Sequence, residues 1–264
     1  MAERVASLHD FNDKLKFIFG LGQILILFSI STCVAFAEEN KISTIDIVTP
    51  AWEGITNKDG TGLYFELLQM VYEPVGIVVK IEFVPWARAV KRVDLKSSDA
   101  MLGSYNTVDA FFPKYPLDTE YTAVVYKTDS VEKWNGVTTI ENKDVVWVRG
   151  YNYHKYLPVK VNYHEVSKSE QGWKMLALDR VGFFMNSLNA INRYVNRNKI
   201  DLADFQIKVV MVKNLFVRFA KTEKSKKLIE IYDSRMDELI KTDSLRKLYE
   251  KWNAFYPDFQ SIEK

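Results

Sequence analysis

The stretch Val84-Pro85-Trp86-Ala87-Arg88-Ala89 sets a proline, an indole and a guanidinium side by side behind an apolar alternating run. An indole is a flat apolar shelf for a ligand, and a guanidinium is a planar fork of donors for a carboxylate. The chemistry within reach of these groups is binding rather than bond breaking. The structural alternative is that Trp86 packs into a core and Arg88 pairs with a surface acid.

Reactive constellations are thin elsewhere. His154 and His164 lack metal-ligand spacing, and the chain contains no HExxH, no Gly-x-Ser-x-Gly elbow and no P-loop. No metal and no cofactor is therefore expected. The single cysteine, Cys33, lies in an apolar N-terminal run, so a chain that loses this run has no thiol for catalysis. Glu53 and Glu66 are the acids that a catalytic reading could turn toward a cleft, with a structural or hinge role as the alternative for Glu66. The reading from these residues is a binder and not an enzyme.

Composition narrows the partners. With 36 bases against 34 acids the net charge is +2, which points away from a nucleic-acid surface. The 264 residues, 47% of them apolar, are enough for one large or two modest folded domains. Lys14 and Lys16 precede an uncharged run from Phe17 to Ala37, which closes on Ala35-Phe36-Ala37, a small-x-small signal-peptidase pattern. Residues 1–37 are read as a signal peptide, with the mature chain starting near Glu38 in the periplasm. An uncleaved anchor is the rival, because the run is long enough to span a bilayer. The stretch Ile30-Ser31-Thr32-Cys33 is a poor lipobox, since threonine stands where a small residue is needed. Acids in residues 1–13, rare ahead of a signal, suggest a start codon elsewhere.

The elements that must position Trp86 alternate in type. Residues 43–49 alternate as a strand, and Leu63, Leu67, Leu68 and Val71 fall at helical spacing. A strand over 77–84, a helix with Pro85 near its first turn, and a short buried strand from Asp99 complete a βαβαβ order. A second unit repeats it: strands at 144–148, 159–166 and 181–185, a short helix at 151–157, a helix at 169–178, and one opened by Ser187. Two long extended runs, 120–127 and 205–220, bracket that unit and read as crossovers. Two C-terminal helices follow, the second with Thr242-Asp243 as its N-cap. Phe183, Phe184 and Trp173 read as core, and Trp134 has no assigned role.

The segment from Gly62 to Val93, with the later Asp99-Ala100-Met101-Leu102-Gly103-Ser104-Tyr105, the two crossovers and the ending Asp243 to Trp252, resembles the type II periplasmic solute-binding proteins that serve polar amino acid ABC transporters. The similarity runs over roughly residues 43 to 256. It implies an α/β fold of two lobes, with mixed, mostly parallel sheets joined by two hinge crossovers. It divides the chain into lobe 1 at 43–125 and 213–258, with lobe 2 inserted at 126–212. It also implies a monomer that captures a small-molecule ligand and delivers it to an ABC importer permease. An enzyme resembling cyclohexadienyl dehydratase, or a free-standing sensor for a membrane receptor, would use the same fold.

In open α/β sheets ligands sit beyond the carboxyl ends of the strands. The candidate ligand-binding residues are then Trp52, Trp86, Arg88, Gly103, Ser104 and Tyr105 in the first lobe. Arg149, Gly150, Tyr151, Asn152 and Asn186 are those of the second. Amino-acid binders of this family carry an arginine after the Gly-Ser loop and an aspartate after the last strand of the second lobe. Here Val108 and Asp109 stand near the first place and Asn186 at the second, so both halves of a zwitterion clamp are weakened. Arg149 or Arg88 is the replacement cation on this reading, Arg149 beside a glycine turn that leads into a helix. Arg149→Ala is then expected to abolish binding of an anionic ligand. The solute is expected to be small and polar, amino-acid-like or a small organic acid.

Overall fold

The computed structural model describes residues 42–259 and 261, and the expected signal peptide lies outside them. Eight strands form one hydrogen-bonded sheet: β1 (Thr44–Thr49), β2 (Val78–Phe83), β3 (Ala100–Ser104), β4 (Asp118–Lys127), β5 (Asp144–Val148), β6 (Asn162–Val166), β7 (Phe183–Ser187) and β8 (Phe205–Phe219). Their order is β2-β1-β3-β8-β4-β7-β5-β6. The outer pairs β1/β2, β1/β3, β5/β6 and β5/β7 are parallel, and every pairing that involves β4 or β8 is antiparallel.

The two extended runs meet at the centre of this sheet. β4 and β8 pair from Asp118↔Leu215 to Lys127↔Phe205, with a bulge between Thr122 and Ala123, and the far end of β8 continues onto β3. Alternation along β4 sends Ala123 and Val125 into one apolar cluster with Trp173 and Phe184, and Val124 and Tyr126 into another with Trp147 and Phe183. The central strand is thus covered on both faces, as a buried crossover must be. Trp134 stacks flat on Tyr126 at 5.4 Å.

Helices fill the connections: α1 (Leu63–Tyr72), α2 (Trp86–Asp94), α3 (Ser169–Ala177), α4 (Leu188–Asn198), α5 (Glu223–Ile240) and α6 (Asp243–Lys251). The expected apolar stripe of α1 is buried at Leu63, Leu67, Leu68 and Val71. Ser187 caps α4 by accepting the Ala190 N–H at 3.2 Å. Two expectations need correction. Thr242 stands at the N-cap of α6, but its hydroxyl donates to the Leu239 carbonyl at 2.9 Å and caps nothing. The helix expected over 151–157 is a single 3₁₀ turn, Tyr153–Lys155, because Asn152 enters it at φ 54°, outside the helical region.

Candidate functional site

Pro85 precedes α2 in an extended conformation, so Trp86 is the first helical residue and its indole projects from the start of the helix. The indole Nε1 donates to the Gly150 carbonyl at 2.9 Å, reaching from the β2-β1-β3 half of the sheet to the loop after β5. Gly150 has φ +84°, and a Cβ there would come within 3.1 Å of Trp86 Cδ1. Glycine therefore serves twice, for the left-handed backbone and for the close approach. Trp86 is also edge-on to Tyr151 at 5.9 Å and tilted against Trp52 at 5.7 Å.

Trp52 is held by its own loop. Its N–H donates to Thr56 Oγ1 at 2.9 Å, and that hydroxyl donates on to the Pro50 carbonyl at 2.8 Å. The six-membered ring of its indole lies over Gly103, where a Cβ would be 3.1 Å from Cζ3. Trp52, Trp86 and Tyr151 form one aromatic layer across the two halves, continued by Tyr153 edge-on to Tyr151 at 5.6 Å.

Beneath this layer lies a group that sequence reasoning missed. Glu120 of β4 accepts on Oε1 from the Tyr105 hydroxyl at 2.6 Å, from Thr122 at 2.8 Å and from Tyr153 at 3.5 Å. Burial pushes its carboxyl up from the usual range, against the pull of those hydroxyls. Two residues earlier, Asp118 accepts from the Thr119 N–H at 2.7 Å and the Tyr64 hydroxyl at 3.3 Å. Its carboxyl is pushed up to about 7, chiefly by burial, with Glu120 adding to the shift and Arg193 opposing it. The available signal was Asp118, Glu120 and Thr122 at alternate positions, one face of a strand that the sheet must bury.

No protein-family model matches the chain, and no curated protein sequence matches it. Solved structures do. A histidine kinase sensor domain with similarity to periplasmic binding proteins aligns with TM-score 0.68 at 14% identity, over 83% of this chain and 100% of that one. An ABC uptake transporter substrate-binding protein from Streptococcus pneumoniae with bound histidine gives 0.63 at 18%, over 80% of this chain and 92% of that one. An ancestral amino acid-binding protein, a precursor of cyclohexadienyl dehydratase, gives 0.62 at 16%, over 80% and 95%. The chain has the type II periplasmic-binding-protein fold. These identities establish the fold alone.

The aromatic layer lies where the start of α2 meets the loop after β5. Gly103, Tyr105, Gly150 and Tyr151 are drawn together there with Trp52 and Trp86. Ser104 lies beside them, buried, its hydroxyl donating to the Tyr105 carbonyl at 3.1 Å. The other expected residues are committed elsewhere. Asn186 is buried with both ends used, Nδ2 donating to Ser169 Oγ at 2.9 Å and Oδ1 accepting the Ser187 N–H at 2.8 Å. Asn152 Nδ2 donates to the Gly150 carbonyl at 2.9 Å and steadies the turn that Trp86 touches. Arg88 is exposed on α2. The Arg149 side chain is 66% exposed, with Nε 4.0 Å from Glu165 Oε2, while Glu165 Oε1 accepts the Gly150 N–H. With only a 3₁₀ turn behind Gly150, no helix N-terminus supports an anion beside Arg149.

The two acids considered for catalysis are in ion pairs. Glu53 pairs with Arg197 of α4, and Glu66 of α1 takes Lys251 of α6 at 2.7 Å. Among the described residues, no group of three or more His, Cys, Asp or Glu side chains could hold a metal ion, and no helix is long and apolar enough to cross a membrane.

Proposed function

We propose that this chain is a periplasmic solute-binding protein that captures a small polar solute between two lobes and delivers it to an ABC-type importer. The observation that carries this reading is the aromatic layer spanning the sheet halves, with the Trp86 indole hydrogen-bonded to Gly150. Contacts of that kind exist only when the lobes are together, so a solute that touches both sides shifts the population toward closure. Residues 43–125 and 213–258 form the first lobe in this proposal and 126–212 the second, after removal of residues 1–37. Trp52, Trp86, Tyr105 and Tyr151 supply apolar walls, and Ser104 and the Gly150-Asn152 turn supply polar edges. The protein acts as a monomer.

Differential thermal unfolding against a panel of amines, amino acids, small carboxylates and sugars tests the reading. A ligand at about a hundred times its Kd stabilises by roughly 2.7 kcal/mol, which is about 5 to 11 °C for a chain of this size. Mass spectrometry of each stabilising solute should return it unchanged; a converted solute would make the protein an enzyme on a binding fold. With its guanidinium mostly in solvent beside Glu165, Arg149→Ala is expected to change solute affinity by less than about twofold. A loss beyond about tenfold, measured by calorimetry, would restore Arg149 to the ligand site.

A further inference from the structure

The walls of this cleft are aromatic, and its charge comes from the strand beneath them. Asp118, Glu120 and Thr122 share one face of β4. The three hydroxyls that reach Glu120 all converge on Oε1. Among the described residues none donates to Oε2. Arg193 acts on the neighbouring Asp118 and on Tyr64. Glu120 thus has one oxygen held by three hydroxyls and the other without a hydrogen-bond partner among the described residues.

We propose that Glu120 selects a solute carrying an ammonium group, whose N–H donates to Oε2 while the rings of Tyr105, Tyr151 and Tyr153 flank the cation. This deepens the solute-binding reading and rests on it. An ammonium there gains a charge-assisted hydrogen bond and the attraction of the ring faces, both strengthened as closure excludes water. An organic anion in the same place meets Glu120 with Asp118 behind it. Of the arginines, Arg88 is exposed on α2, Arg149 lies against Glu165, and Arg193 is engaged with Asp118 and Tyr64. Tyr105 and Thr122 act as positioning residues, holding the carboxylate before the solute arrives.

The test compares isosteres by calorimetry on the purified protein: phenethylamine against 3-phenylpropanoate, and putrescine against succinate, with glucose as a neutral solute. The amines are expected to bind at least about tenfold more tightly than the matched acids. Glu120→Gln keeps an acceptor for the Tyr105 and Thr122 hydroxyls, and it is expected to lower amine affinity at least about tenfold with little change in unfolding temperature. Acids or glucose binding in place of amines would overturn the charge assignment and leave the solute-binding reading standing. Undiminished amine binding by a folded Glu120→Gln would also overturn it. Silence from all three classes would take the solute-binding reading down as well. The isostere comparison needs no variant, so it decides the question even where Glu120→Gln fails to fold.

Discussion

Raising the pH from about 4 to about 7 is expected to lower the stability of this protein, and Asp118→Asn is expected to remove most of that loss. Asp118 is 7% exposed, and its carboxyl is pushed from an ordinary 3.8 up to about 7, burial being the main cause. Below about pH 4 the folded and unfolded chains both hold the proton, so the group has no effect on stability there. As the pH rises further the unfolded chain gives up its proton while the fold keeps it, and stability falls until the folded pKa is passed. A shift of about three units corresponds to a loss on the order of 4 kcal/mol. Glu120 and Asp233 are raised as well and act with the same sign, whereas His154 is lowered and acts in the opposite sense near its own range.

Asparagine keeps an acceptor for the Thr119 N–H and turns an amide toward the Tyr64 hydroxyl, which can accept from it. Thermal unfolding followed by circular dichroism across this range should show wild type and Asp118→Asn converging at about pH 4 and the variant clearly more stable at about pH 8. Curves that stay parallel would mean that Asp118 ionises freely in the fold.

What could be read in the sequence follows from how local each signal is. The strands at 44–49 and 78–83, α2 behind Pro85 and the Ser187 cap depend on neighbours within a few residues, and these features are present as expected. The base of the cleft has no such signal. Glu120 meets Tyr105 and Tyr153 at separations of 15 and 33 residues, and Asp118 meets Tyr64 at 54. In the sequence alone the crossover reads as a connection. Arg149 and Asn186 do stand at strand ends, where the topology puts cleft residues. Glu165 and Ser169, brought up by the neighbouring elements, decide where their polar groups are used. Asn152 adopts a left-handed backbone that the spacing of its aromatic neighbours does not reveal.

Gly62→Ala is expected to destabilise the protein by about 3 kcal/mol, lowering the unfolding temperature by about 6 to 12 °C, and to abolish solute binding. Gly62 lies at φ 131° and ψ 156°, a region that glycine alone occupies without strain. A Cβ there would stand 2.4 Å from the Ile55 carbonyl oxygen and 2.6 Å from its carbon. That carbonyl cannot swing aside freely, because it accepts the Tyr64 N–H at 3.1 Å as α1 begins. The loop is tied again where Leu63 N–H donates to the Gly54 carbonyl at 3.2 Å, and Ile55 and Thr56 N–H both donate to the Trp52 carbonyl. Relieving the clash means moving the backbone that holds Trp52 over Gly103 and against Trp86. Gly60→Ala is the control: its φ of +85° also disfavours a side chain, but a Cβ there meets nothing within 4 Å. That substitution is expected to cost about 1 kcal/mol and leave binding intact, because the loop can keep its path. Equal unfolding temperatures for the two variants would show that backbone conformation, and not the contact with Ile55, sets the cost. Binding retained by Gly62→Ala would show that Trp52 does not need this loop to reach the cleft.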